Sequence, residues 1–410
     1  MKNDTINCSI CYIHSMYLKD KSLLDKDIDN DNRVFRNISK KFRKVYAFGS
    51  EAGMNDNAFS DIGTAQNFLH GSGLPFNTER LLIKDYIISD DMIPVKDSHI
   101  FVSAYPDVGT VSIMVNLRVE GIDTESLVFM RHMQGNDKKL TVTDTEGVSE
   151  QLSISQIVDC IVKSMDVTIG GKQDGYLVEI NDIADYNKIE DIYAHEKHRL
   201  YGIMTGDEGW EHLDPELAEK RIQTGWSSRN FVSVVAFGNA FLMLNLWNSD
   251  RYKDYMSHQE KFFDKYYGSM DRYFGMRSNV AGVNHGLFFA VETGILIKTF
   301  SQNVLDLQDE WMSKKKSYVS KIGQMKKYRE YLIIAIDKVE DVAISEMGEL
   351  QTLIMKSLKI YPVIERLKNL LDILESGLEI SYSTRINDFM AVIAVAGALF
   401  GLIQVISIFI

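Results

Sequence analysis

One run of residues has the types and spacing to do chemistry inside a membrane. From Phe389 to Ile410 the chain reads FMAVIAVAGALFGLIQVISIFI, with no charged residue. As a helix rising about 1.5 Å per residue, it is long enough to cross a hydrocarbon core of about 30 Å. Within it Ala394, Gly397, Gly401 and Gln404 recur at spacings of three and four and share one face, which Asn387 extends at the entrance. Gly397-x-x-x-Gly401 permits close helix approach. Gln404 in hydrocarbon is costly unless it meets a partner or water. The stripe therefore either lines a pore shared by several copies or mediates tight dimerisation. Asn387 and Gln404 favour the pore, and since one helix cannot enclose a pore, that reading requires a homo-oligomer.

Other chemistry-bearing residues are sparser. Lys40-Lys41-Phe42-Arg43-Lys44, with Arg36 nearby, forms a basic cluster able to contact phosphates, its plainer alternative being a solvated basic face. Cys8-Ser-Ile-Cys11 has C-x-x-C spacing, but no second pair completes a zinc site, and on a strand the two side chains point to opposite faces. They read as buried thiols. Asp207 and Glu208 lie between glycines, too few oxygens for calcium, so Leu200–Trp210 reads as a loop with a capped turn before the helix after Pro215. Gly170-Gly171-Lys172 lacks the order of a P-loop and reads as part of a hairpin loop. His195-Glu-Lys-His198 reads as a polar helix face. With no nucleophile elbow, metal quartet or dinucleotide fingerprint, an enzyme is not expected, and no catalytic residue, cofactor or metal is assigned.

Composition bounds these readings. The 410 residues carry 45 basic and 57 acidic side chains, a net charge of −12, with 45 % hydrophobic and 25 % charged residues. That excludes a disordered chain, a collagen and a multi-span transporter. It also argues against broad nucleic-acid coating, which needs many phosphate contacts. Three cysteines are no disulfide framework and suit a reducing compartment. The first fifteen residues carry no long apolar core, so no secretory signal is expected. Arg366, Lys368 and Arg385 precede the apolar run and no basic residue follows it, which places the preceding chain in the cytoplasm.

The elements that must position these residues follow from periodicity. Residues 1–185 read as an α/β sensor domain, with strands at Ser9–Leu18 and Lys44–Phe48 and a further pair at His99–Ala104 and Thr110–Val119 around Tyr-Pro-Asp-Val-Gly. Ser126–His132 is another strand candidate, and Ile154–Met165 has helical spacing. Residues 186–300 read as mainly helical, and 301–388 as a helical stalk. An apolar seam runs through the stalk at Leu307, Trp311, Tyr318, Ile322 and beyond, with Lys314–Lys316, Lys321, Lys326 and Lys327 on its wet face. Uninterrupted from Val304 to Asp388 it would be roughly 130 Å long, so breaks are expected at Gly323, Gly348 or Pro362. Residues 389–410 form the transmembrane helix.

The C-terminal half resembles the CorA superfamily of divalent-cation channels. The resemblance rests on Gly286-Leu-Phe-Phe-Ala-Val-Glu292 opening a helical region, on the long stalk, and on Arg385-Ile-Asn-Asp-Phe-Met390 leading into the span. It implies a CorA-like architecture, an α/β N-terminal domain with stalk helices and a single C-terminal transmembrane helix. The chain departs from the family in lacking the Gly-Met-Asn motif and the second span, so magnesium selectivity is not carried over. Truncated architectures of this kind are similar to membrane effectors of bacterial antiviral defence, the Hailong effectors and the CRISPR-linked CorA proteins. The implied protein is a gated, ion-conducting homo-oligomer, tetramer or pentamer, tail-anchored in the inner membrane. Its implied partners are lipid, a cytosolic regulatory protein and a nucleotide or oligonucleotide ligand at Arg36, Lys40, Lys41, Arg43 and Lys44. A divergent divalent-cation transporter and a non-conducting scaffold are the alternatives.

Overall fold

A computed structural model describes residues 5–25, 32–43, 45–47, 79–135, 138–183, 186–226, 231–267, 285–313, 345–366 and 387–395, with isolated positions between 330 and 397. The chain divides into two units. The first comprises 1–303 with 334–361, the second 304–333 with 362–410.

At the centre of the first unit is β1 (Ile6–Leu18), almost wholly buried. One face carries Ile6, Cys8, Ile10, Tyr12, Met16 and Leu18 into the main core, the other carries Ser9, Cys11, Ile13 and Ser15, and both faces are covered. It pairs antiparallel with β6 (Thr110–Ile122) on one side and β9 (Ile169–Asn181) on the other. β5 (Val95–Tyr105) joins β6 through Pro106-Asp-Val-Gly109, a turn closed by Gly109 at φ 67°, the left-handed region glycine enters without steric cost. β3 (Glu79–Ile83) and β2 (Val45–Ala47) extend that edge. β12 (Ala240–Asn245), β11 (Val232–Phe237) and β10 (Gln223–Trp226) extend the other. The order is β10-β11-β12-β9-β1-β6-β5-β3-β2, with β12 parallel to β9. A second sheet is formed by β4 (Ile87–Ser89), β7 (Leu140–Thr143) and β8 (Ser149–Leu152).

Helices cover both faces of the main sheet. On the first face Ile10, Tyr12, Ile113, Val115 and Val178 form one core with α1 (Arg33–Lys41), α2 (Thr124–Met130), α3 (Ile154–Met165), α4 (Ile189–His195), α5 (Lys197–Thr205) and α6 (Pro215–Arg221). A capping box between Ser153 and Gln156 starts α3. After α7 (Asp250–Tyr267), α8 (His285–Ser313) lies over the second face. A Cβ added to Gly175 of β9 would stand 2.9 Å from Ile295 of α8, so glycine is what lets strand and helix meet there. α9 (Ser345–Ser357) packs on β10 and β11 and crosses α8 at Gly294, where a Cβ would meet Ile354 at 2.5 Å.

The mixed α/β reading holds for this unit, and several local readings are corrected. Ser126–His132 is not a strand. Asp123 accepts the Ser126 N–H at 2.8 Å and caps α2, and a 3-10 turn over Arg131–Gln134 follows. Gly170–Gly175 is not a hairpin loop, because β1 supplies a continuous partner and holds the glycines extended within β9. Leu200–Thr205 is helical, with Gly206 as a left-handed C-cap at φ 75°, while the capped turns before Pro215 are present. His195 ends α4 and His198 lies in α5, with Glu196 between the two helices, so they do not share one helix face. Residues 186–300 contribute three strands to the same sheet as residues before 185, since β12 pairs with β9. Gly348 lies inside α9. The chain instead leaves helical geometry at Lys359, φ 57°, and Pro362 sits within the helical residues 360–366. Gly323, the stalk lysines and most of 314–344 lie outside the described residues.

Candidate functional site

Residues 387–395 are helical, and Phe389, Met390, Val392, Ile393 and Val395 are each 50–66 % exposed. At about 100° per residue these positions cover most of the helix circumference and leave one arc of about 140° to Asn387, Ala391 and Ala394. Asn387, Ala394 and Gly397 are described and helical, and a Cβ added at Gly397 would meet nothing within 4 Å. Gly401, Gln404 and the remainder of the run lie outside the described residues. Among the described residues no helix is long and apolar enough to cross a membrane.

The basic cluster lies at the end of α1. Arg36 is half-buried, and Lys40 and Lys41 are exposed in the last turn, where the helix dipole favours cations. Arg43 follows the helix. Its backbone N–H donates to Asp85 at 2.9 Å and its guanidinium pairs with Glu146 at 2.7 Å in the open. Such exposed pairs contribute little. Lys44 is outside the described residues. Cys8 belongs to the first-face core, whereas Cys11 faces α8, with burial and then the Glu292 charge holding its thiol well above the usual range. No group of three His, Cys, Asp or Glu side chains is placed to hold a metal among the described residues.

Sequence reasoning missed two features. The first is a buried ion pair between Arg80 of β3 and Glu292 of α8, both almost fully enclosed. Arg80 also reaches the Tyr105 hydroxyl at 3.4 Å and lies 6.0 Å from the Phe288 ring. Burial first, and Glu292 second, push the Tyr105 hydroxyl well above its ordinary range. Oε1 of Glu292 has no hydrogen-bond partner among the described residues. Beside the pair, Ser103, Ser112 and Ser15 stand in register across β5, β6 and β1, buried and with unpartnered hydroxyls among the described residues. The available signal was Glu292 itself, a lone charge in Leu-Phe-Phe-Ala-Val-Glu-Thr-Gly-Ile-Leu-Ile.

The second feature is a cleft of about 540 Å³ on the first-face side, bounded by α2, the segment before β5, Lys138–Lys139 and the turn after α5. Glu208, read from sequence as part of a simple turn, lines it, while Asp207 caps that turn by accepting the Gly209 N–H at 3.0 Å. Trp210 is seated against Gly202, where a Cβ would come within 2.6 Å of the indole.

No protein-family model matches the chain, and no curated protein matches its sequence. Fold and site define a class: a mixed α/β unit with helices on both faces of its main sheet, joined in sequence to helical residues that expose apolar side chains.

Proposed function

We propose that the chain is a homo-oligomeric membrane effector whose α/β unit senses a ligand or partner and whose C-terminal helix lines an ion-conducting pore. One observation carries the reading: Phe389, Met390, Val392, Ile393 and Val395 are exposed large apolar side chains on a helix over 387–395, continuous in sequence with a charge-free run. Leaving the exposed half or more of each such side chain in water forgoes about 1–2 kcal/mol. Lipid and identical helices are the environments that cover them, and the open space at Gly397 suits a neighbouring helix. The Arg80–Glu292 pair supports the sensing role, because it ties the sheet to the start of the helix whose last residues belong to the second unit. The CorA-like resemblance adds the setting of antiviral defence and a cytoplasmic sensor at the inner membrane.

The test is electrical. Full-length chain reconstituted in planar bilayers is expected to pass current, and Gly401→Leu or Gln404→Leu to abolish it. A flat trace from correctly inserted protein overturns the pore and leaves a scaffold. Magnesium uptake insensitive to both variants favours a transporter instead.

A further inference from the structure

We infer that the cleft between α2 and the Asp207–Glu211 turn binds a planar aromatic cation. Its volume of about 540 Å³ falls in the range of small-molecule sites. Ile93, Val128 and Met133 make an apolar floor continuous with the main core. Half-buried Phe129 and Trp210 supply aromatic walls. Met92 stands at the mouth, 86 % exposed, a flexible and polarizable side chain that can close over a flat ring.

Charge selects the sign of the ligand. Asp90, Glu125, Glu208 and Glu211 place four carboxylates around the cleft, against the two ammonium groups of Lys138 and Lys139. Asp90 is fixed there, since its Oδ1 accepts the backbone N–H groups of Met92 and Ile93 at 2.8 and 2.9 Å. Lys138 Nζ lies 4.2 Å from the centre of the Phe129 ring, so part of the positive charge is already engaged by an aromatic face. The surplus of carboxylate repels a polyphosphate and attracts an organic cation, and the aromatic walls add stacking and cation–π attraction. Sign of field and nature of surface thus specify the same ligand class. This inference rests on the sensor reading only for its consequence, and binding is testable without it.

Isothermal titration calorimetry of the purified full-length chain, with ethidium and with ATP as probes, tests it. Ethidium is expected to bind one per chain and ATP not to bind in the cleft. The double variant Glu208→Gln/Glu211→Gln is expected to weaken ethidium about tenfold or more, the size of one lost charged contact. These side chains are exposed, so the fold does not depend on them. Glu216→Gln, exposed on α6 and outside the cleft, leaves binding unchanged, and Lys138→Gln strengthens it. Absence of ethidium binding, preference for ATP, or equal loss with Glu216→Gln overturns the proposal. Conductance in the presence of ethidium is the separate readout of sensing: a change supports both readings, while intact binding with unchanged current keeps the cleft and counts against the sensor.

Discussion

The two faces of the main sheet are both buried but differ in their share of polar side chains. On the first face β1, β5, β6 and β9 offer Ile, Val, Leu and Tyr to six short helices, in one continuous apolar core. On the second face the same strands interleave Ser15, Ser103, Ser112 and Asn116 with Ile13, Phe101, Met114 and Leu177 beneath one long helix, α8, whose own contribution includes Glu292. Apolar burial is non-directional and roughly additive in area, so the first face tolerates small shifts. Buried polar groups demand particular partners, so the second face prefers a particular placement of α8 and loses much when that placement fails. The difference makes the second face the more demanding of exact placement.

The contrast breaks most sharply at the ion pair. Arg80→Met leaves Glu292 buried and uncompensated and is expected to lower stability by about 3–5 kcal/mol in urea titrations. Arg80→Met/Glu292→Met is expected to recover most of that loss, because two apolar side chains need no partner. A double variant as unstable as the single would show that the pair does more than neutralise its own charges.

Neighbouring residues on β6 sharpen it further. Ile113 faces the apolar core and Ser112 the polar face. Ile113→Ala should cost about 2–5 kcal/mol. Ser112→Ala removes a buried hydroxyl with no partner among the described residues and should be neutral or stabilising by about 1 kcal/mol. Equal losses at both positions would erase the distinction between the faces.

The smallest effect is a pH dependence at His99, buried on β5 and stacked on Phe101 with ring centroids 6.2 Å apart. Burial, reinforced by Lys84 and opposed by Asp97, holds its pKa below the usual histidine value. The unfolded chain therefore takes up the proton first. Stability from this residue is complete above about pH 6.5 and falls as pH drops through that value toward the folded pKa. Urea midpoints between pH 5 and 7 should show this slope, and His99→Gln should flatten it.

Legibility followed the range of the interactions. β1, the β5–β6 hairpin and α3 were readable because strand patterning, a Pro-Asp-Val-Gly turn and helical spacing act over a few residues, whereas the capping box that starts α3 emerged only in the structure. The glycines of β9 read as a loop, since local propensity disfavours them in strands and only pairing with β1 along its length overrides that. β10–β12 were hidden in a region whose neighbouring patterns are helical. The cleft was illegible because its walls come from 90–93, 125–133, 138–139 and 208–211, brought together only by folding.

Short-range physics, carried by the sequence alone, determined the alternation that puts Cys8 and Cys11 on opposite faces, the caps that start and stop helices, and the charge-free stretch at 389–410. Tertiary structure decided which face of the sheet would be polar, that Arg80 would meet Glu292 across 212 positions, and that four separate segments would enclose one acidic, aromatic cleft. Those pairings depend on which distant segments gain enough by meeting to outweigh the entropy of closing the chain between them, and no local pattern encodes that balance.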